Sequence, residues 1–272
     1  VVRMQHSREP TRRPTVLTIA GSDSGGGAGI QADLRTIAAH GLHGACAITA
    51  LTAQNTRGVT AIHACPADIV EAQIDAAFAD FAVAAIKIGM LATAPLIRQI
   101  AAALRRRPDV PVVLDPVMVA SSGARLLETD ATAALLSELL PRASVVTPNL
   151  PEAEAMLGSG PIDRAGMREA AHALRGLGAH AVLLKGGHLP DGALLDLLLE
   201  ADGVTTFEHP RLPVEGHGTG CTLSSAIACR LALGESLADA CRVHAALRGA
   251  YRPGTTALAV LDHLGAAAPT RC

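Results

Sequence analysis

Aromatic residues are nearly missing from this chain: there is no Trp, one Tyr and three Phe among 272 residues. Stacking platforms for single-stranded nucleic acid are built from such rings, so that class of partner is excluded. The core must be made from Ala, Leu, Val and Ile, and a hydrophobic content of 49% is enough for a sizeable one. An excess of charge of either sign is lacking too. A net charge of −2 gives no general attraction to nucleic acid or to an anionic membrane, and a small-molecule substrate is the expected partner. The cysteines, Cys46, Cys65, Cys221, Cys229, Cys241 and Cys272, form no C-x-x-C pair. That argues against a zinc knuckle or a disulfide framework and for a reducing cytoplasm. No stretch has the length and freedom from charge of a membrane helix, so a soluble protein is expected. Residues 1–14 carry Arg3, Arg8, Arg12 and Arg13 without an apolar h-region. They read as a disordered tail ahead of one domain at 15–265.

What is present is alternation. Short apolar runs recur at Val16 to Ala20, Ala45 to Leu51, Val83 to Ile88, Val112 to Leu114, Val145 to Thr147 and Ala181 to Leu184. Runs buried on both faces are what a parallel sheet needs. Between and after them lie segments of helical spacing: Ile30 to Ala39, Asp68 to Phe81, Pro95 to Arg105, Asp130 to Leu140, Arg164 to Arg175, Thr222 to Leu233 and Leu237 to Arg248. In the second of these, Ile69, Val70, Ile74, Ala77, Phe78 and Phe81 make one apolar face behind Pro66. The alternation predicts an α/β fold with an open, doubly wound, mostly parallel sheet and helices on both faces. Only Leu194 to Phe207, a hairpin around Asp202-Gly203, breaks it, as an antiparallel edge. Ligands in such sheets bind beyond the carboxyl ends of the strands. Gly21-Ser22-Asp23, Gln54-Asn55, Gly89-Met90, Asp115-Pro116, Asn149 and Lys185-Gly186-Gly187 follow the six runs in turn. Spacing alone therefore assembles one site from these loops.

The segment His217-Gly218-Thr219-Gly220-Cys221 leads into a helix, so backbone N–H groups converge there and the helix dipole adds positive character. That makes an anion site. The same field favours the thiolate of Cys221. Three roles stay open for this residue: covalent nucleophile, general base or inert core thiol. A hydrolase would need a histidine base and an orienting partner, and His217 alone is poor support. The loop Gly21 to Gly29 suits a backbone cradle or close ligand approach, the plain alternative being a flexible turn. Its tail, Gly27 to Ala32, matches the G-x-G-x-x-A dinucleotide fingerprint, which also needs an acid about 20 residues on. No acid stands between Asp33 and Asp68, and no Walker-type G-K-[ST] occurs. Asp33 by itself reads as a helix-start acid. Asn149 and Glu152 read either as a helix cap with a first-turn acid or as groups that hold Mg²⁺ through water. Asp115 is a second oxygen donor at a strand end, or a turn residue before Pro116. Lys185 either reaches phosphate oxygens or sits in a surface turn.

Taken together, Ile19 to Asp33, Thr52 to Thr56, Lys87 to Leu91, Asp115 to Met118, Thr147 to Glu152, Lys185 to His188 and His217 to Cys221 resemble, in the same order, the hydroxymethylpyrimidine/phosphomethylpyrimidine kinases of thiamine biosynthesis. These belong to the ribokinase superfamily. The resemblance implies a three-layer α/β/α sandwich, ribokinase-like, using ATP and Mg²⁺. It implies phosphorylation of the hydroxymethyl group of 4-amino-5-hydroxymethyl-2-methylpyrimidine, then of its monophosphate. Carried over, Gly21, Asp33, Gln54, Met90 and Val117 line the pyrimidine pocket, with Gln54 hydrogen-bonding the ring. Asn149 and Glu152 order Mg²⁺ and its waters beside the nucleotide, Asp115 lies near that ion, and Lys185 touches the nucleotide phosphates. The N–H groups of Gly218, Thr219, Gly220 and Cys221 stabilise the transferring phosphoryl group, with Cys221 as base. Two departures stand out: Glu215-Gly216 replaces the family's usual Asn-Thr, and Arg252 to Asp262 lacks its glycine-rich stretch. A homodimer is usual among the relatives. The nearest rival is a vitamin B6 kinase acting on pyridoxal or pyridoxine; the other is a non-catalytic ligand-binding homologue.

Overall fold

A computed structural model describes residues 13–119, 123, 126–128, 130–189, 194–210, 218–243, 251–252 and 260–261 of the chain. Each apolar run becomes a strand: β1 (Thr15–Asp23), β2 (His43–Asn55), β4 (Val83–Ile88), β5 (Val112–Leu114), β6 (Val145–Val146) and β7 (Val182–Lys185). These pair in parallel in the order β2-β1-β4-β5-β6-β7. The hairpin β8 (Leu194–Glu200) and β9 (Gly203–His209) adds an antiparallel edge beside β7. Its turn residues are Ala201 and Asp202.

The opposite edge departs from the sequence reading. β3 (Gly58–Ala64) pairs antiparallel with β2, so Leu194 to Phe207 is not the only break in alternation. Val59, Ala61 and His63 alternate with Thr60, Ile62 and Ala64, which leaves no continuous apolar run to mark the strand. β2 also extends through Gln54 and Asn55, so these belong to a strand end and not to a loop.

Strand periodicity sorts the core into two layers. Leu17, Ile19, Ile86, Ile88, Leu114 and Val146 face α2 (Ala67–Asp80), α3 (Ala94–Arg105), α4 (Ala131–Ala134), α5 (Leu150–Leu157) and α6 (Met167–Gly176). Their neighbours Val16, Ala85, Val113, Val145 and Leu183 face α1 (Gly29–Ala39), α7 (Thr219–Ala232) and α8 (Leu237–Cys241). The result is the expected three-layer α/β/α sandwich.

Two helices differ from expectation. In α2 only Val70, Ile74 and Ala77 are buried, while Ile69 and Phe81 are 52% and 39% exposed. The segment expected as one helix over 130–140 is α4, followed by a π segment at Leu135–Leu139 and a 3₁₀ turn at Leu140–Arg142. Pro141 has no N–H to continue an α ladder, which is why the winding changes as the helix ends. Residues 1–12 of the expected tail and 244–248 of the last expected helix lie outside the described residues.

Candidate active site

The carboxyl ends of β1, β2, β4, β5, β6 and β7 open onto one cavity of about 980 Å³. Gly21, Gln54, Met90 and Val117 form one part of its wall; Asp115, Asn149, Glu152 and Lys185 form another. The turn Gly218 to Cys221 lines it as well. His217, Glu215 and Gly216, together with most of Arg252 to Asp262, lie outside the described residues.

At the apolar part, a side chain on Gly21 would place Cβ 3.0 Å from Met90 Sδ, so any larger residue there would push the methionine thioether aside. Gln54 is oriented from its own strand, with Oε1 3.1 Å from Thr52 Oγ1. The glycine loop is not an anion cradle. Its N–H groups turn inward to Asp23, whose carboxylate accepts from Gly25 at 2.8 Å, Gly27 at 3.0 Å and Ala28 at 2.9 Å. Arg35 Nη1 donates to Gly26 O at 2.6 Å and holds the loop from α1.

Asp33 is placed differently from both sequence readings. It is not in the first turn of α1, and it does not line the cavity. Its carboxylate is fully buried, and each of its oxygens lies 2.9 Å from Lys87 Nζ. An acid facing an apolar sheet must find a cation or lose its charge, and Lys87 on β4 supplies it. Lys87 is the residue that sequence reasoning quoted without a role. Its signal was there: a lysine inside an apolar strand needs a buried partner.

At the charged part, Asn149 and Glu152 form a reciprocal capping box, each backbone N–H donating to the other's side chain at 2.8 Å. The helix-cap reading holds, and the same two residues line the cavity. Burial, the largest effect, pushes the Glu152 carboxyl up to about 7, with Lys185 opposing and Asp115 reinforcing the rise. Lys185 Nζ is 3.2 Å from Asp115 Oδ1. Burial alone would lower the Lys185 ammonium, but Asp115 and Glu152 outweigh it and keep the charge. Asp115 also accepts from Thr147 Oγ1 at 3.3 Å and from Ser224 Oγ at 3.4 Å.

α7 begins at Thr219, three residues earlier than its apolar spacing predicts, with Gly218 as N-cap at φ 79°. The first-turn N–H groups of Thr219, Gly220 and Cys221 have no acceptor within the helix and point out of its end. The thiolate expected at Cys221 is not favoured: burial pushes the thiol up to about 11, against the pull of Lys87 and a hydrogen bond from the Gly29 N–H. Asp33 and Asp115 add to the rise. Desolvation outweighs the pull of Lys87 and of that hydrogen bond.

The phosphomethylpyrimidine kinase family matches residues 23–258. A hydroxymethylpyrimidine/phosphomethylpyrimidine kinase of Rhizobium meliloti is 53% identical over 243 residues, which cover 87% of this chain and 91% of that protein. A thiamine biosynthesis bifunctional protein of Geobacter sulfurreducens is 51% identical over 86% of this chain, which spans 48% of that longer protein. Among solved structures, the ADP complex of Bacillus subtilis pyridoxal kinase superposes with a TM-score of 0.84 at 32% identity, covering 92% of this chain and 97% of that one. On the extent of these matches, the chain belongs to the phosphomethylpyrimidine kinase family.

Proposed function

We propose that this chain transfers the γ-phosphoryl group of ATP to the hydroxymethyl oxygen of 4-amino-5-hydroxymethyl-2-methylpyrimidine, and then to the phosphate of the resulting monophosphate, in thiamine biosynthesis. One observation carries the reading: the segments that carry the family resemblance all contribute residues to a single cavity, whose wall includes both apolar and charged side chains. Gly21, Met90 and Val117 suit a small ring, and Gln54 offers that ring a hydrogen-bonding amide. Lys185 and the first turn of α7 suit phosphate oxygens. Asp115 and Glu152 put carboxylate oxygens on the wall, a donor set that fits Mg²⁺, which takes oxygen ligands and keeps several waters. When bound, the ion neutralises charge on the phosphates. The α7 turn then offers N–H donors to the transferring group, and the thiolate form of Cys221 takes the hydroxyl proton. Burial keeps that form scarce well below pH 11, but such transfer depends on positioning and charge neutralisation more than on base strength, so a small thiolate fraction is enough.

Incubation with ATP, Mg²⁺ and the pyrimidine alcohol, with products separated by anion exchange, tests this directly. Successive mono- and diphosphate is the expected outcome. No pyrimidine-dependent ATP consumption would leave the non-catalytic homologue, and a higher kcat/KM for pyridoxal would make the chain a vitamin B6 kinase. The sequence likeness favours the pyrimidine, since identity is 53% to the Rhizobium pyrimidine kinase and 32% to the pyridoxal kinase.

A homodimer in a reducing cytoplasm completes the proposal. Leu51 and Ile62, on the β2–β3 edge, are 50% and 42% exposed, an uncovered apolar edge of the kind that pairing protects. The five cysteines among the described residues are free thiols, as a reducing compartment keeps them.

A further inference from the structure

A second charged cluster lies behind the cavity wall. Asp33 of α1 and Lys87 of β4 are both 0% exposed. Besides the two bonds from Lys87, the Asp33 carboxylate accepts from Thr18 Oγ1 of β1 at 2.6 Å and from Ser225 Oγ of α7 at 2.8 Å. One carboxylate thus ties four elements together, and α7 is the one that carries the Gly218 to Cys221 turn. The adjacent hydroxyl, Ser224 Oγ, bonds the Gly220 carbonyl of its own helix at 2.9 Å and stands 3.4 Å from Asp115 Oδ2 of the other Asp–Lys pair. Ser225 therefore seats α7 on the buried ion pair, and Ser224 lies beside the second. Packing alone does not explain such an arrangement, because buried ion pairs are often replaced by apolar residues at no loss of stability. Directional bonds do what apolar contacts cannot: they fix the rise and rotation of a helix on a sheet.

We propose that Lys87 and Ser225, acting through Asp33, are positioning residues for phosphoryl transfer, holding Cys221 and the first-turn N–H donors of α7 at the reacting oxygen. This rests on the reading of that turn as the transfer site. Misplacement by about 1 Å can cost about 100-fold in such a reaction. The pair also sets the charge felt by the thiol. Four charged groups face Cys221: Lys87 from β4, Asp33 from α1, Asp115 beyond β5 and Lys185 from β7. Lys87 and Asp33 act on it in opposite directions.

The test uses the full chain with Ser225→Ala, Lys87→Met and Asp33→Asn. It measures kcat, KM for the pyrimidine alcohol, the thermal midpoint, and the pH midpoint for alkylation of Cys221 by iodoacetamide without nucleotide. We expect Ser225→Ala to lower kcat roughly ten-fold while KM stays within about two-fold, since the turn moves and the ring pocket does not. We expect the alkylation midpoint to rise in Lys87→Met and to fall in Asp33→Asn. A purely structural pair would lower the thermal midpoint in both charge variants without separating their alkylation midpoints, and would leave kcat of Ser225→Ala at the wild-type value. Either result overturns the proposal. Should Lys87→Met fail to fold, Ser225→Ala and Asp33→Asn, which nearly conserve volume, decide it by the same two readouts. Absence of kinase activity in the wild type would sink the functional reading instead, and the alkylation midpoints would still decide the charge relation between the pair and Cys221.

Discussion

Cys221 shows how two local rules compete at one atom. A neighbouring cation lowers a thiol and burial raises it, and the outcome near 11 beside Lys87 means burial dominates. Alkylation of Cys221 in the nucleotide-free protein is therefore expected to be slow at pH 7 and to accelerate as pH climbs toward 11, followed by mass spectrometry of the labelled peptide. Cys221→Ala should lose most turnover while retaining pyrimidine binding by calorimetry; wild-type turnover would remove the residue from the mechanism. Glu152 poses the mirror case. Its folded value of about 7 lies above the ordinary 4.5, so the folded chain holds this proton more tightly than the unfolded one. Stability from this group is full below the unfolded value and falls as pH rises to about 7, where the buried charge is complete. Glu152→Gln is thus expected to raise the unfolding free energy above pH 7, by ~1–3 kcal/mol, to leave it nearly unchanged near pH 4, and to abolish Mg²⁺-dependent activity. An unfolding free energy that does not change between pH 4 and pH 8 relative to wild type would contradict this.

At the scale of elements, the α7 turn and the glycine loop interlock. Gly218 sits at φ 79°, and a Cβ there would overlap the Gly27 carbonyl oxygen. Gly218→Ala combines left-handed strain of ~1–2 kcal/mol with that overlap, so the two loops must part. Loss of activity well beyond ten-fold with a lowered thermal midpoint is expected, and an active, equally stable variant would show that the loops do not touch in solution. The α5 capping box makes a smaller claim. Asn149→Ala removes the bond to the Glu152 N–H and should cost ~1 kcal/mol in chemical denaturation.

For the whole molecule, period two along the strands decides where chemistry gathers. Val16, Ala85, Val113, Val145 and Leu183 pack toward α1 and α7, and the residues two places on are Thr18, Lys87, Asp115, Thr147 and Lys185. All five must therefore point to the same face, and the layer that covers them contains α7, whose first turn lines the cavity. The other exposed feature at this scale is the β3 edge. If it pairs two copies, Ile62→Lys, which sets a charge on that strand, should convert a dimer to a monomer in light scattering without changing the thermal midpoint of the monomer's core. A dimer that survives the substitution would place the interface elsewhere.

Alternation of apolar runs with helical spacing was enough for the layers and for the strand ends that meet at the cavity, because burial on two faces and the 2.0 and 3.6 periods are local properties of the chain. Motif spacing likewise brought Gly21, Met90, Asp115, Glu152, Lys185 and Cys221 to one place. β3 was not legible, since Val59 to Ala64 forms neither a continuous apolar run nor a clean apolar–polar alternation. Nor was the fate of Asp33, which resembles a pocket residue in one dimension and is an interior ion-pair partner in three. Its cation is 54 positions away on β4, and Lys185 finds Asp115 across 70. Partners at such separations meet only through strand order, and the protonation states of Cys221 and Glu152 follow from desolvation, which exists only once the layers have closed. The sequence by itself thus determined which groups reach the site; tertiary structure alone decided which of them carry charge there and which serve from behind the wall.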